Sequence, residues 1–357
     1  MENINQTQEL QDRIRAACND KIPLKIVGGN TKEFYGNDVS KQNNIEILET
    51  KNHQGIISYE PSELVITARA GTPLKEIEVL LTENNQMLPF EPPHFGEGAT
   101  LGGAIATGLS GSRRPFTGSA RDFVLGTKII SGQGDVMSFG GQVMKNVAGY
   151  DVSRLMVGAL GTLGLLLEIS IKVLPRPQSE ITQCISMSQQ DALLTMQQLN
   201  QSSLPLSALA YENEKLFIRL SGAPSAVNSA QKTVAGETLI QAEQFWQQLN
   251  EHTLPFFESE KSLWRLSVPY IANIDLNEKS FIDWAGALHW IHSDKNADEI
   301  QQHAIEQGGS AALFKTASDA QERFPALQAK IKQLQINLKT RFDPFGILNY
   351  GRLYSDL

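Results

Sequence analysis

Between Gly96 and Gly108 the chain reads Gly-Glu-Gly-Ala-Thr-Leu-Gly-Gly-Ala-Ile-Ala-Thr-Gly, with small residues at almost every position. A segment so poor in side chains lets a large flat ligand, or another backbone, lie directly against it. Gly102-Gly103 is expected to open a short helix, whose N-terminal amides favour phosphate. A loop that merely packs closely on a strand is the plain alternative. That alternative weakens because two other segments share the character. Gly28-Gly29-Asn30-Thr31-Lys32 follows a short apolar strand, Leu24 to Val27. Its glycines let successive N–H groups turn inward as an anion nest, and Lys32 adds charge. Alone it reads first as a tight turn, and it is no G-x-G-x-x-G fingerprint, since that spacing and a directly following helix are absent. Gly158 to Gly164 leads straight into an apolar strand, Leu163 to Leu174. Three phosphate-compatible segments in one half-chain argue for one large dinucleotide.

At 357 residues the chain is too long for a single core and suits two domains. Pro175-Arg176-Pro177 stops the long apolar strand and marks the boundary. The expected division is a ligand-binding domain over residues 1–177, an α+β domain over 178–340, and a turn-rich tail over 341–357 that returns to the first. In the first domain Leu10, Ile14 and Ala17 place a helix over Thr7 to Asn19. Pro73 starts another that runs to Glu83, with Leu74, Ile77, Leu80 and Leu81 on one face. In the second half Gly becomes rarer and Gln commoner, and strands such as Leu263 to Val268 and Ala287 to Ile291 alternate with helices.

The formal net charge is −8, with Lys and Arg scattered. A nucleic-acid binder usually carries a basic stripe, and none is present. Cys18 and Cys184 lie far apart with no Cys or His at metal spacing, so no metal site is expected and both read as free thiols of a cytosolic chain. Met1 to Leu10 is polar and acidic, unlike a secretion signal, and no run of about 18 apolar residues exists to span a bilayer. Any membrane association is expected to come through a partner.

Five motifs in order carry a resemblance. They are Pro61-Ser-Glu-Leu-Val65, Gly98-Ala-Thr-Leu-Gly-Gly103, Gly118-Ser-Ala-Arg121-Asp122 to Gly126, Gly149-Tyr150-Asp151 and Gly161-Thr-Leu-Gly164. This set resembles the FAD-binding domain of the vanillyl-alcohol oxidase and p-cresol methylhydroxylase superfamily, over residues 22–177 and the tail 342–352. The wording of Leu88 to Gly98 and of Val143 to Asp151 is similar to the E-subunit family of glycolate oxidases in particular.

The resemblance implies an α+β, two-domain FAD-binding fold with an α+β cap domain. It places the FAD pyrophosphate on Gly28, Gly29, Asn30, Thr31, Lys32, Thr100, Gly102 and Gly103, with Pro93, Gly98 and Ala99 also at the cofactor. Ser110, Gly118, Ser119 and Asp122 would line the ribityl and flavin side, and Gly161, Thr162, Gly164 and Ile169 would pack from the last strand. Lys145 and Tyr150 would lie near the flavin ring. Asn30 stands where covalently flavinylated relatives carry His, so non-covalent FAD is expected. Val27 replaces a third Gly, and Asn349-Tyr-Gly-Arg352 replaces Asn-Pro-Gly-Lys, which loses the rigid Pro but keeps a cation. The implied activity is oxidation of glycolate and related short 2-hydroxy acids to 2-oxo acids. The implied setting is a complex with a second, catalytic FAD-binding subunit and an iron–sulphur subunit, cytoplasmic or held at the inner membrane through that complex.

A 2-hydroxy acid needs a cation for its carboxylate, usually Arg, and a general base such as His. Arg265, on the strand Leu263 to Val268, is the substrate candidate; the alternative is a solvent-facing Arg on an alternating strand. His289 and His292 would point to opposite faces of one strand, which argues against a metal pair and leaves His289 a packing or surface residue. His94, in the Pro-rich loop, reads first as structural. No catalytic base is assigned. A competent flavin subunit, a non-catalytic electron relay or scaffold, and a lone FAD alcohol oxidase all stay open. Trp246, Phe256, Phe257 and Trp284 are either aromatic anchors for a partner or buried core.

Overall fold

The computed structural model describes residues 3–40, 42–141, 151–272, 274–316 and 322–357; Lys145 and Tyr150 lie outside them. The chain divides into two compact units. The first comprises Met1–Leu109, Ser119–Pro175 and Asp319–Leu357, and the second Ser110–Gly118 and Arg176–Ser318. The break at Pro175 falls at the proline stop. Two segments differ from the expected division, for packing reasons. The helix Ala329–Phe342, expected in the second domain, sits in the first unit, where Phe342 joins the core beside Ile129 and Lys339 donates to the Thr162 carbonyl at 2.8 Å. Ser110–Gly118 belongs to the second unit, because Phe116 packs on its core and the Trp284 indole donates to the Gly111 carbonyl at 3.0 Å.

The first unit is built on a five-stranded antiparallel sheet in the order Ile56–Glu60, Val65–Arg69, Leu165–Lys172, Val124–Ile130, Val136–Gly140. Leu165–Lys172 is central, and its near-continuous apolar run follows from cover on both faces. On one side Leu166, Ile169 and Ile171 meet Leu74, Ile77 and Leu81 of the helix Leu74–Glu83, and Leu101, Ala104 and Ile105 of the helix Leu101–Thr107. On the other, Leu165 and Leu167 meet Leu10, Ile14 and Ala17 of the helix Thr7–Asp20, together with Leu24, Leu48, Ile347 and Leu348. That second layer brings the parallel pair Leu24–Val27 and Glu46–Glu49 alongside the C-terminal segment.

The second unit is an eight-stranded antiparallel sheet in the order Glu237–Thr238, Ser179–Ser186, Lys215–Gly222, Leu206–Glu212, Ser280–Asp283, Leu288–His292, Leu263–Ser267, Ser310–Lys315. Leu216, Ile218 and Leu220 alternate onto the face covered by the helices Gln189–Asn200 and Pro224–Val234, and Leu266 and Ile291 onto the part covered by Ala297–Glu306. The intervening residues Phe217, Arg219, Arg265 and Trp290 take the opposite face, with Trp290 between Arg265 and Phe281 in register. The strands Leu206–Glu212 and Ser280–Asp283 and the helix Ala242–Asn250 were not expected from sequence. Trp246 and Trp284 are only 6% and 4% exposed, which for these two favours buried core over partner anchors, the two alternatives left open by the sequence. Trp246 donates to Thr182 Oγ1 and stacks under Arg219, so both tryptophans serve the interior.

Candidate cofactor cleft

The strand Leu24–Val27 delivers the chain into the turn 28–32, and the turn has no room for side chains. A Cβ on Gly29 would stand 1.5 Å from the Gly98 carbonyl oxygen, so the two backbones touch. Asn30 sits in the left-handed region at φ 59°. The loop around His94 closes on this turn through its backbone: Thr31 Oγ1 and Lys32 Nζ donate to the His94 carbonyl at 2.6 and 3.1 Å. The His94 ring instead meets Glu78 at 3.1 Å, a structural contact. Among the described residues, the amides of Gly29, Asn30 and Thr31 donate to no protein acceptor, which leaves three N–H groups on the cleft lining.

The helix Leu101–Thr107 behaves differently from expectation. Its first amides are already used: Leu101 N–H goes to the Thr72 carbonyl, Gly102 N–H to the Ala70 carbonyl and Gly103 N–H to Thr100 Oγ1. The Gly-Gly pair therefore contributes bare surface rather than donors. Gly102 permits close packing, since a Cβ there would meet Ala70 at 2.8 Å. At Gly103 a Cβ would meet only Thr100 Oγ1, at 3.3 Å, so that position opens on the cleft.

The opposite wall is the turn through Leu160 and Gly161, tied to the helix by Gly158 N–H and Leu160 N–H on the Ile105 and Ala106 carbonyls. The C-terminal segment joins the two walls. Asn349 accepts from Ile26 N–H through Oδ1 at 2.8 Å, and donates through Nδ2 to the Leu160 carbonyl at 2.6 Å. Its own N–H reaches the Leu24 carbonyl at 2.9 Å. Beneath it Lys339 Nζ holds the Thr162 and Leu348 carbonyls and the Asp343 carboxylate, each at 2.8 Å. Burial pulls the Lys339 ammonium below its ordinary range, and Asp343 opposes that. Arg352 lines the cleft, with its guanidinium on the Asn37 and Glu33 carbonyls at 2.7 and 2.8 Å. Burial lowers it too, against the charges of Glu33 and Asp38.

The cleft is open to solvent on one side, and its walls come from the turn, the short helix and the C-terminal segment. Gly28, Gly29, Asn30, Thr31, Lys32, Thr100, Gly102, Gly103, Gly161 and Gly164 all line it. The other expected cofactor residues lie elsewhere. Pro93 and Ala99 are buried outside the lining, and Gly98 backs Gly29. Thr162 donates to the Ala159 carbonyl, and Ile169 is core. Ser119 and Asp122 form a reciprocal cap on the helix Ala120–Phe123. Ser110 and Gly118 are in the second unit. Sequence reasoning missed Glu33, Tyr35, Thr50, Ala106, Thr107 and Leu160; for Asn349 and Arg352 the altered tail motif was the available signal.

A cleft with bare glycine walls, three free amides and two buried cations fits a dinucleotide phosphate. Residues 3–140 match the family described as FAD binding domain. The p-cresol methylhydroxylase structure with substrate bound aligns with TM-score 0.74 at 16% identity, covering 99% of this chain and 88% of that one, which shows a shared fold. Fold and cleft together define a chain with an FAD binding domain on the fold of p-cresol methylhydroxylase. Over 352 residues, 98% of each chain, the protein is 47% identical to glycolate oxidase subunit GlcE of Escherichia coli (strain K12). It is 29% identical over 214 residues to a D-lactate dehydrogenase of Anaerostipes hadrus, covering 59% of this chain and 44% of that enzyme. The chain belongs to the GlcE family of glycolate oxidase subunits.

Proposed function

We propose that this chain is the FAD-binding subunit of a glycolate oxidase complex that converts glycolate and related short 2-hydroxy acids to 2-oxo acids. The observation that carries the reading is the Gly-lined cleft of the first unit, joined to 47% identity with a glycolate oxidase subunit along the whole chain. Gly29, Asn30 and Thr31 would hold the pyrophosphate by their amides, with Lys32 supplying charge and Gly103 leaving space. FAD, when bound, supplies the two-electron acceptor for the alcohol carbon. Asn30 offers no imidazole for a flavin link, so the cofactor is held without a covalent bond. Arg265 would take the substrate carboxylate.

The chain holds only two Cys, and no group of three or more His, Cys, Asp or Glu among the described residues could bind a metal. Passing electrons on singly would therefore fall to a second flavin-binding subunit and an iron–sulphur subunit. No helix among the described residues is long and apolar enough to cross a membrane, so such partners would also provide any membrane contact.

One observation favours the non-catalytic alternative. His289 is fully buried with no side-chain partner on its ring, and the His292 ring rests on the Phe256 and Lys261 carbonyls. Neither is set as a base beside Arg265. The absorption spectrum of the purified chain separates the two readings. Flavin bands that bleach on adding glycolate mean chemistry in this chain, and bands that persist mean that it carries flavin for a sister subunit. Acid precipitation should release the yellow colour to the supernatant; colour left in the pellet would exclude non-covalent binding.

A further inference from the structure

The helix Ala329–Phe342 of the first unit presents two rows of side chains. One is spent inside: Phe342 enters the core, and Lys339 is buried on the Thr162 and Leu348 carbonyls. The other is Ile331, Leu334 and Leu338, at i, i+3 and i+7, the apolar spacing of a helix that packs along another helix. Leu338 leans on the core, but Ile331 and Leu334 are 45% and 58% exposed. Phe345, three residues past the helix end, is 53% exposed. Single apolar residues on a surface are ordinary, whereas a row at helical spacing marks a face suited to a partner.

The same helix is cationic. Its charged residues are Lys330, Lys332, Lys339 and Arg341, with no Asp or Glu, in a chain of net charge −8. Lys339 and Arg341 lie in the last turn, where the helix dipole favours cations. Lys330 and Lys332 lie in the first, where it disfavours them. Asp356 compensates Lys332. Lys330 and Arg341 enter no ion pair among the described residues. Lys330 therefore brings the helix no stability. Helical periodicity sets Lys330, Asn337 and Arg341 along the solvent edge of the apolar row, opposite Lys339.

An apolar row edged by cations complements an amphipathic helix edged by carboxylates. An anionic bilayer fits less well, because the helix is fixed to the core along its inner side and cannot sink among acyl chains, and the rest of the chain is acidic. A second copy packed on the same face by two-fold symmetry would set cations against cations. We propose that Ile331, Leu334 and Leu338, with Lys330 and Arg341 at their edge, form a docking face for an acidic amphipathic helix of a partner protein. The inference rests on the complex proposed above only for the presence of a partner, and not for what that complex oxidises.

The test uses the full-length protein, made in its own cells with p-benzoylphenylalanine in place of the exposed Asn337. Irradiation should crosslink it to a partner segment of helical apolar spacing that carries Asp or Glu. K330E/R341E should recover about tenfold less of that partner, or lower still, since like charges would then face each other. Flavin content and melting temperature should hold, because the two reversals act in opposite senses on the helix dipole. Changing the crosslinked carboxylates of the partner to Lys should restore recovery, which no folding defect would allow. K75E, at an exposed lysine of the helix Leu74–Glu83, should behave as wild type. Crosslinking to a segment without acidic residues, to a second copy of this chain or to nothing would overturn the proposal, as would unchanged recovery in K330E/R341E. So would sedimentation with vesicles of phosphatidylglycerol and phosphatidylcholine in equal parts that is lost in K330E/R341E. If the charge swap holds but the partner binds neither flavin nor an iron–sulphur cluster, the docking face stands and the glycolate oxidase complex fails.

Discussion

The cleft of the first unit is made of what its residues lack, whereas the aromatic and arginine cluster of the second unit is made of large side chains. Around Gly29, Gly102 and Gly103 the backbone itself is the surface, and one added Cβ decides whether the walls fit. Around Trp284 the backbone is strained so that an indole and two guanidinium groups can meet. The first arrangement tolerates almost no substitution but follows from local sequence. The second depends on three segments that converge only through an eight-stranded sheet and a transplanted loop. Contacts made by bare backbone therefore fail on an added atom, whereas contacts between side chains fail when one of them is lost.

Glycine substitutions would break that comparison most severely. Gly29→Ala drives a methyl into the Gly98 carbonyl and should cost about 5 kcal/mol or more, so the protein should accumulate as aggregate or melt far below wild type. Gly103→Asp is the contrasting case: it should fold, yet emerge colourless, because a carboxylate would occupy phosphate space. Thermal melts and the ratio of 450 to 280 nm absorbance read both outcomes. A Gly29→Ala protein that melts normally and keeps flavin would show that the walls are not in contact.

The tail bridge should come next. Lys339→Met leaves the Asp343 carboxylate without its buried partner, at about 3–5 kcal/mol in urea unfolding. Asn349→Ala strands Ile26 N–H and the Leu160 carbonyl and should cost about 2–4 kcal/mol. It should also weaken FAD retention on dilution, since the same side chain spans both cleft walls. Equal flavin retention in Asn349→Ala and wild type would reduce the tail to a stabilising strap.

The smallest expected effect is a pH dependence. Burial holds His53, in the first unit, and His289, in the second, at about 4, well below the ordinary histidine value. For each, the unfolded chain binds more protons than the folded one between about pH 6.5 and 4, so stability is complete above that window and falls with acidification through it. Each unit of pH within the window removes at most about 1.4 kcal/mol per histidine. His289→Leu should change stability at pH 7 little, since the ring has no side-chain partner to lose, and should flatten the acid slope. An unchanged slope would assign the acid sensitivity elsewhere.

Much of the first unit was legible in sequence because its signals are local. Leu10, Ile14 and Ala17 mark one buried helix face, and Leu74, Ile77 and Leu81 another. The Gly28–Lys32 turn, Thr100, Gly102, Gly103, Gly161 and Gly164 reach one cleft because short apolar strands aim each glycine segment at the same layer. What stayed hidden was which atoms do the work. The Gly102 and Gly103 amides were expected as phosphate donors, but Ala70 and Thr100 take them, and only the three-dimensional path of the strand Val65–Arg69 places Ala70 there.

Periodicity put Arg265 on a strand and His289 on the neighbouring one. It could not say that Arg265 shares its face with Trp290 while His289 turns to the helices, because alternation gives two faces without saying which is covered. The partnership of Arg114 with Trp284, the move of Ser110–Gly118 into the second unit and the return of Ala329–Phe342 to the first were likewise decided by long-range packing. Sequence alone determined where the backbone is bare and where faces are apolar, since both are properties of a few adjacent residues. Tertiary structure decided which polar groups are spent, since that depends on neighbours more than 300 positions away, as the 323 positions between Asn349 and Ile26 show.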